Sequence, residues 1–211
     1  MNDLLAHGWA PPPPVAASGA RGSDGVAARP HWKGTIAVAL IVACVALGGV
    51  AADNAIPEPS AGRVAISTPI YMTAGPGWVA TDAAGGVTDG VELQKSNALF
   101  VAQVISSEYD GDARQLLDAS KEGFQRATAR VTFGNDRDID LNGKPASVVT
   151  FSALFSDGGG SGVIDGEIVC MVLHSDGQAY AVFIQAGAPQ SYLASITGEI
   201  EAMAGSVRVG P

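Results

Sequence analysis

From position 63 onward, apolar residues recur with two different periods. Runs with period two, or with unbroken apolar character, predict strands at Arg63–Ile66, at Val87–Leu93 (VTDGVEL) and at Ala98–Ile105. The last of these, ALFVAQVI, is apolar on both faces and belongs in the middle of a sheet. Beyond Asp112 the period lengthens. Leu116, Leu117, Ser120, Phe124 and Ala127 fall on one helical face, with Arg114, Asp118, Lys121, Glu122 and Gln125 elsewhere. Asp112 and Gln115 have the spacing of a capping box, in which side chain and backbone satisfy each other at a helix start. Four more strands are expected: Arg130–Phe133 with an extension to Leu141, Ala146–Phe155, Val163–Leu173 and Ala179–Gln185. Asn142-Gly143 is the strongest hairpin signal, since both residues tolerate positive φ. Ser156–Gly162 (SDGGGSG) reads as a flexible turn and Ser175-Asp176-Gly177 as another, while Pro69–Trp78, with two prolines and two glycines, reads as turn-rich. A second helix begins near Pro189, with Leu193, Ile196, Ile200 and Met203 as its apolar stripe and Gly205 as its stop. Val207 and Val209 offer a short closing strand. This order predicts an α+β fold, an antiparallel β-sheet with helices packed on it, over residues 63–211.

The N-terminal quarter has a different pattern. Residues 34–52, GTIAVALIVACVALGGVAA, carry no charge. As a helix of nineteen residues the run reaches roughly 28 Å, close to the thickness of a hydrocarbon core. Arg21, Arg29 and Lys33 precede it, and Asp53 and Glu58 follow. The positive-inside tendency therefore predicts a single-pass transmembrane helix at 34–52 with a cytoplasmic N-terminus and an extracytoplasmic domain. Trp32 lies where an interfacial aromatic anchor would lie. Residues 1–33, with four prolines at Pro11–Pro14, read as a disordered tail, and 53–62 as a Pro-interrupted linker. Three other readings of the run stay open. Val50-Ala51-Ala52 loosely fits a signal-cleavage site, although the leader is long and the apolar run exceeds the usual ~7–15 residues. Ile41-Val42-Ala43-Cys44 resembles a lipobox, although the sequence stays apolar after Cys44. A buried core helix is the third, although the run is apolar on every face and isolated by Pro-rich flanks. Ala39 with Ala43 and Cys44 with Gly48 give small-xxx-small spacing, which alanine-rich spans also contain by chance.

Charge narrows the partners. The 211-residue chain carries a formal net charge of −9. The excess lies beyond position 52, with nineteen acids against nine bases. Such a domain repels phosphate backbones, which argues against nucleic acid. Cys44 and Cys170 lie in regions that cannot meet within one chain, so no disulfide staples the domain.

Candidate chemistry is sparse. His174 precedes Ser175-Asp176, but neighbours in a turn point different ways, and a surface histidine is the simpler reading. Cys170 sits in the apolar run IVCMVL and reads as an inert core residue. Asp136, Asp138 and Asp140 share one strand face and could attract Ca²⁺. The EF-hand spacing fails there, because Leu141 and Ser147 occupy the glycine and glutamate positions. Gly158–Gly162 lacks the Lys-Ser/Thr of a phosphate loop. Tyr71 and Trp78 are candidate walls of a ligand groove; a Trp beside Pro-Gly also serves to cover one end of a core. No catalytic residue, metal or cofactor is expected.

Certain motifs resemble a known family. A Pro-Gly-Trp element (Pro76-Gly77-Trp78) is followed by the amphipathic helix and then by Leu141-Asn142-Gly143-Lys144-Pro145-Ala146. Ala188-Pro189 precedes the last helix, and Ser206-Val207-Arg208-Val209 closes the chain. Over roughly residues 63–209 this resembles the PsbP-like superfamily, which includes a photosystem extrinsic subunit, a nuclear Ran-binding factor and LpqN-type envelope proteins of actinobacteria. The resemblance implies an α/β/α sandwich used for binding or assembly, without a shared catalytic residue. The function expected is that of a membrane-anchored, non-enzymatic binding or assembly protein of the cell envelope, with another envelope protein as partner. The alternative is a carrier or sensor of an apolar or cell-wall small molecule. Oligomeric state is not legible.

Overall fold

In the computed structural model, residues 62–81, 89–128, 130–157 and 160–210 are described. The chain divides into two units, Met1–Gly34 and Thr35–Pro211, and every described residue lies in the second. The tail at 1–33, the span at 34–52 and nearly all of the linker at 53–62 lie outside the described residues. Among the described residues no helix is long and apolar enough to cross a membrane.

The centre of the fold is an antiparallel ladder of long strands: β8 (Pro145–Asp157), β9 (Gly160–Ser175) and β10 (Gln178–Pro189). Their runs are apolar at consecutive positions because both faces are covered. Along β9, Ile168 and Cys170 enter one core while Val169 and Met171 enter another. The first core lies under α1 (Ala113–Ala127), through Leu116, Leu117 and Phe124. The second lies under α2 (Gln190–Gly205), through Ile196, Ile200 and Met203, and includes Trp78, Phe100 and Ile184. A large sheet thus carries one helix on each face, the expected α/β/α sandwich.

Five shorter strands complete that sheet: β3 (Val79–Ala80), β4 (Gly90–Lys95), β5 (Ala98–Ser106), β6 (Val131–Phe133) and β7 (Arg137–Asp140). The order is β3-β4-β5-β10-β9-β8-β6, with β7 also paired to β8. A three-stranded sheet, β1 (Gly62–Ser67), β2 (Ile70–Ala74) and β11 (Arg208–Val209), contributes Ile66, Ile70 and Met72 to the α2-side core. It brings the two ends of the domain together. Arg63 stacks its guanidinium 3.8 Å from the Tyr71 ring centre and donates to the Gly210 carbonyl at 2.8 Å.

Several expectations hold in detail. The α1 capping box is complete: Gln115 N–H donates to Asp112 Oδ1 at 2.8 Å, and Asp112 N–H donates to Gln115 Oε1 at 3.1 Å. Asn142 (φ 56) and Gly143 (φ 80) form the tight turn between β7 and β8. Other expectations need correcting. The turn-rich stretch Pro69–Trp78 contains a strand, β2, because Ile70 and Met72 alternate inward and outweigh the flanking turn residues. The expected strand from Arg130 to Leu141 is interrupted at 134–136, so β6 and β7 pair with separate parts of β8. A Cβ at Gly134 would lie 2.3 Å from Thr150 Oγ1, which explains the glycine at the break. Pairing also runs further into the SDGGGSG segment than a free turn would allow, with Ser156 opposite Ser161 and Asp157 opposite Gly160. Gly205 remains helical rather than adopting a left-handed stop. Asn142 Nδ2 donates to its carbonyl at 3.0 Å, and a Cβ would lie 2.9 Å from that nitrogen.

Candidate binding groove

Trp78 and Tyr71 do not share a groove. Trp78 is fully buried, edge-on to Phe100 with ring centres 6.2 Å apart. Its indole N–H donates to Glu199 Oε2 at 2.8 Å, and Lys95 Nζ holds the same carboxylate at 2.7 Å. A Cβ at Gly75 would stand 3.0 Å from Trp78 Cδ1, so the ring is closed in on that side as well. Tyr71 alternates with inward-facing Ile70 and Met72 and points to the other side of β2, beneath Arg63. Trp78 therefore plugs the core, and Tyr71 joins the terminal clasp.

The acidic cluster and Cys170 resolve into structural contacts. Asp136 pairs with Lys121 at 2.9 Å and Arg114 at 3.2 Å. Asp138 receives Arg114 at 2.7 Å and the Ser147 hydroxyl at 2.7 Å, and Asp140 accepts the Gly143 N–H at 2.6 Å. These acids tie the β7 region to α1 and shape its turn. Ser147's hydroxyl, followed by Arg114, holds the Asp138 carboxyl below its usual range. Cys170 is fully buried, 3.6 Å from Ser120 Oγ, and burial pushes its thiol up to about 12. A thiol held protonated in this way is a poor nucleophile. His174 is exposed at the end of β9, while Ser175 donates to Asp176 at 3.1 Å.

A groove of about 390 Å³ opens on the α2 face of the sheet, at its β6-β8-β9 end. Alternation explains its floor. Val149, Phe151 and Ala153 of β8 face the α1 core, so Thr150 and Ser152 face the other way. On β9, Ile168 likewise faces α1, leaving Glu167 and Asp165 on the groove side. Register places Thr150 opposite Glu167, and Ser152 opposite Asp165. Thr132 of β6, opposite Ser152, forms the lip. Leu193, Thr197 and Ile200 of α2 form the wall. At about 100° per residue those three lie on one flank of α2, and Glu199 with Trp78 lies on the other.

Electrostatically the groove is acidic. Burial raises the Glu167 carboxyl above its ordinary range; Arg137 opposes that shift and Glu201 of α2 adds to it. Arg137 reaches Glu167 at 3.5 Å from an exposed rim position. Asp165 engages no side chain among the described residues, where no group of acids and histidines is arranged to hold a metal ion. No motif in the sequence marks this site. Thr150, Ser152, Asp165 and Glu167 are polar positions in two otherwise apolar strands, and the register of β8 with β9 beside α2 makes a groove of them. The one legible signal was polar residues at period two within strands that are otherwise buried on both faces.

No protein-family model matches this chain, and no curated protein sequence matches it. Its fold is nevertheless shared with known structures. Cyanobacterial PsbP (CyanoP) from Synechocystis sp. PCC 6803 superposes with a TM-score of 0.50 at 12% identity, covering 71% of this chain and 94% of that one. LpqN of Mycobacterium tuberculosis, a protein involved in cell envelope biogenesis, gives a TM-score of 0.49 at 15% identity over 67% and 83% of the two chains. The Ran-binding protein Mog1p of Saccharomyces cerevisiae gives 0.47 at 11% identity over 71% and 96%. The chain has a PsbP-like fold.

Proposed function

We propose that this chain is a membrane-anchored, non-enzymatic binding protein of the cell envelope, with the α2-flank groove as its contact site. The groove carries this reading: a concave, partly polar surface in a domain where Trp78, Tyr71, Cys170 and the Asp136–Asp138–Asp140 acids are engaged in structural contacts. The uncharged run at 34–52, with bases before it and acids after it, supports an anchor with the domain outside. The volume of about 390 Å³ also suits a small molecule, which favours the carrier or sensor as the second reading. The carboxylates and hydroxyls on its floor suit a ligand with amino or hydroxyl groups better than a wholly apolar one.

Site-specific photo-crosslinking in intact cells tests this. A crosslinker at Thr132, on the groove lip, is expected to give one discrete protein adduct, and one at Gln125, on the exposed side of α1, none. A small-mass adduct from Thr132 would favour the second reading, and no adduct from either position under any growth condition would sink both.

A further inference from the structure

The groove does not end at its acids. Continuing along the same face of β8 and β9, the next cross-strand pair after Ser152 and Asp165 is Leu154 opposite Val163. These are the exposed large hydrophobic side chains among the described residues, at 36% and 48%. A strip therefore runs from Thr150–Glu167 through Ser152–Asp165 to Leu154–Val163, acidic at one end and apolar at the other. From Glu167 to Val163 it spans four residues of β9, about 13 Å of strand. Glu201 deepens the negative field, and Arg137 on the rim is the positive side chain seen paired with these acids.

Resting on the binding role proposed above, we infer that the occupant of this strip is an extended, basic segment of a partner protein, with a Lys or Arg over Asp165 and Glu167 and an apolar side chain on Leu154 and Val163. Charge complementarity selects the cation. Asp165 has no side-chain partner among the described residues, and the Arg137–Glu167 contact is long at 3.5 Å and made by an arginine 57% exposed, so it competes weakly. The apolar pair selects a peptide over a free amine, because a small cation would leave Leu154 and Val163 uncovered. An extended segment repeats at the same ~3.3 Å per residue as the strands beneath it. Its basic and apolar residues are therefore four apart.

The test uses the full-length chain in detergent and a fluorescein-labelled heptapeptide of alanines with Arg at its second and Leu at its sixth position, read by fluorescence anisotropy. Saturable binding is expected, weakened at least tenfold when Arg becomes Glu or Leu becomes Ser. The double variant Asp165→Asn/Glu167→Gln is expected to weaken it tenfold or more, and Thr132→Arg, which places a guanidinium in the groove from an exposed position, to abolish it with thermal unfolding unchanged. Equal binding of the Arg and Glu peptides, or binding indifferent to Thr132→Arg, overturns the inference. Spermine that displaces the peptide in a manner indifferent to Leu154→Ser/Val163→Ser overturns it in favour of a small amine. If peptides fail while Thr132 still crosslinks to a protein in cells, the ligand class is wrong and the binding role stands; failure of both removes both.

Discussion

Trp78 donates its indole N–H to Glu199 at 2.8 Å, joining the Pro-Gly-Trp turn to the middle of α2 across 121 positions of sequence. Lys95 shares that carboxylate, but the ion pair is partly exposed and contributes no more than about 1 kcal/mol. The larger effect is on Trp78, whose buried N–H would lose its acceptor. Glu199→Ala is expected to cost about 1–3 kcal/mol in urea unfolding. Lys95→Ala should cost less than half of that, and Trp78→Ala about 3–5 kcal/mol. Equal costs for Lys95→Ala and Glu199→Ala would mean the ion pair, not the indole, is the working contact.

Acid should destabilise the domain through particular carboxylates. The Glu199 carboxyl is held below its ordinary range, first by Lys95 and then by Trp78, and Asp138 by Ser147 and Arg114. A depressed carboxylate contributes stability that is full above its unfolded range, near pH 4, and is lost as pH falls through its folded value. Glu167, raised by burial, acts oppositely: its ionisation costs stability, and that cost is relieved as pH falls. Melting temperature should therefore drop as pH falls below about 4, less steeply in Glu199→Gln, while Glu167→Gln should lose the gain that the unsubstituted domain makes as pH approaches about 4 from above. Identical slopes for the three proteins would refute the assignment.

Removing the α1 cap is a local test. Asp112→Ala should cost about 1 kcal/mol by losing the bond to Gln115 N–H. Thr128, at the other end of the helix, has a buried hydroxyl with no partner among the described residues. Thr128→Val should leave stability unchanged or raise it by up to about 1 kcal/mol. A loss above that size would show that the hydroxyl has a partner after all.

Gly166 of β9 lines the groove, opposite Phe151 of β8 and Gly187 of β10. A Cβ there would lie 2.2 Å from the Ala186 carbonyl oxygen and 2.6 Å from Phe151 Cζ. The backbone oxygen cannot swing aside, so Gly166→Ala is expected to cost at least the ~1–3 kcal/mol typical of overpacking. Gly143→Ala meets nothing within 4 Å but has φ 80, so its cost comes from backbone strain alone, about 1 kcal/mol. If Gly166→Ala melts no lower than Gly143→Ala, the close approach is not real.

Most of the architecture was legible because local signals and burial agree. The Asp112–Gln115 box, the 3.6-period of Leu116, Leu117 and Phe124, and Asn142-Gly143 each specify one local geometry, and the long strands keep their apolar residues on both faces. What was missed depends on partners distant in sequence. Ile70–Ala74 looks like turn because its prolines and glycines flank it; only packing against the α2-side core makes it a strand. Trp78 and Tyr71 are expected as walls of one groove, yet strand alternation and a glutamate 121 residues from Trp78 send them to different places. The groove was invisible for the same reason, since Glu167 and Thr197 come from elements whose relative placement no spacing rule gives.

The proposed binding role depends most on where the domain resides. Asp176 lies in the exposed turn between β9 and β10, and Cys170 is fully buried. In an Asp176→Cys variant of the full chain, a maleimide that cannot cross the cytoplasmic membrane should label the protein in intact cells, above the unsubstituted background, with the labelled protein in the membrane pellet. Labelling only after lysis, with the protein in the soluble fraction, would contradict a domain anchored outside the cell.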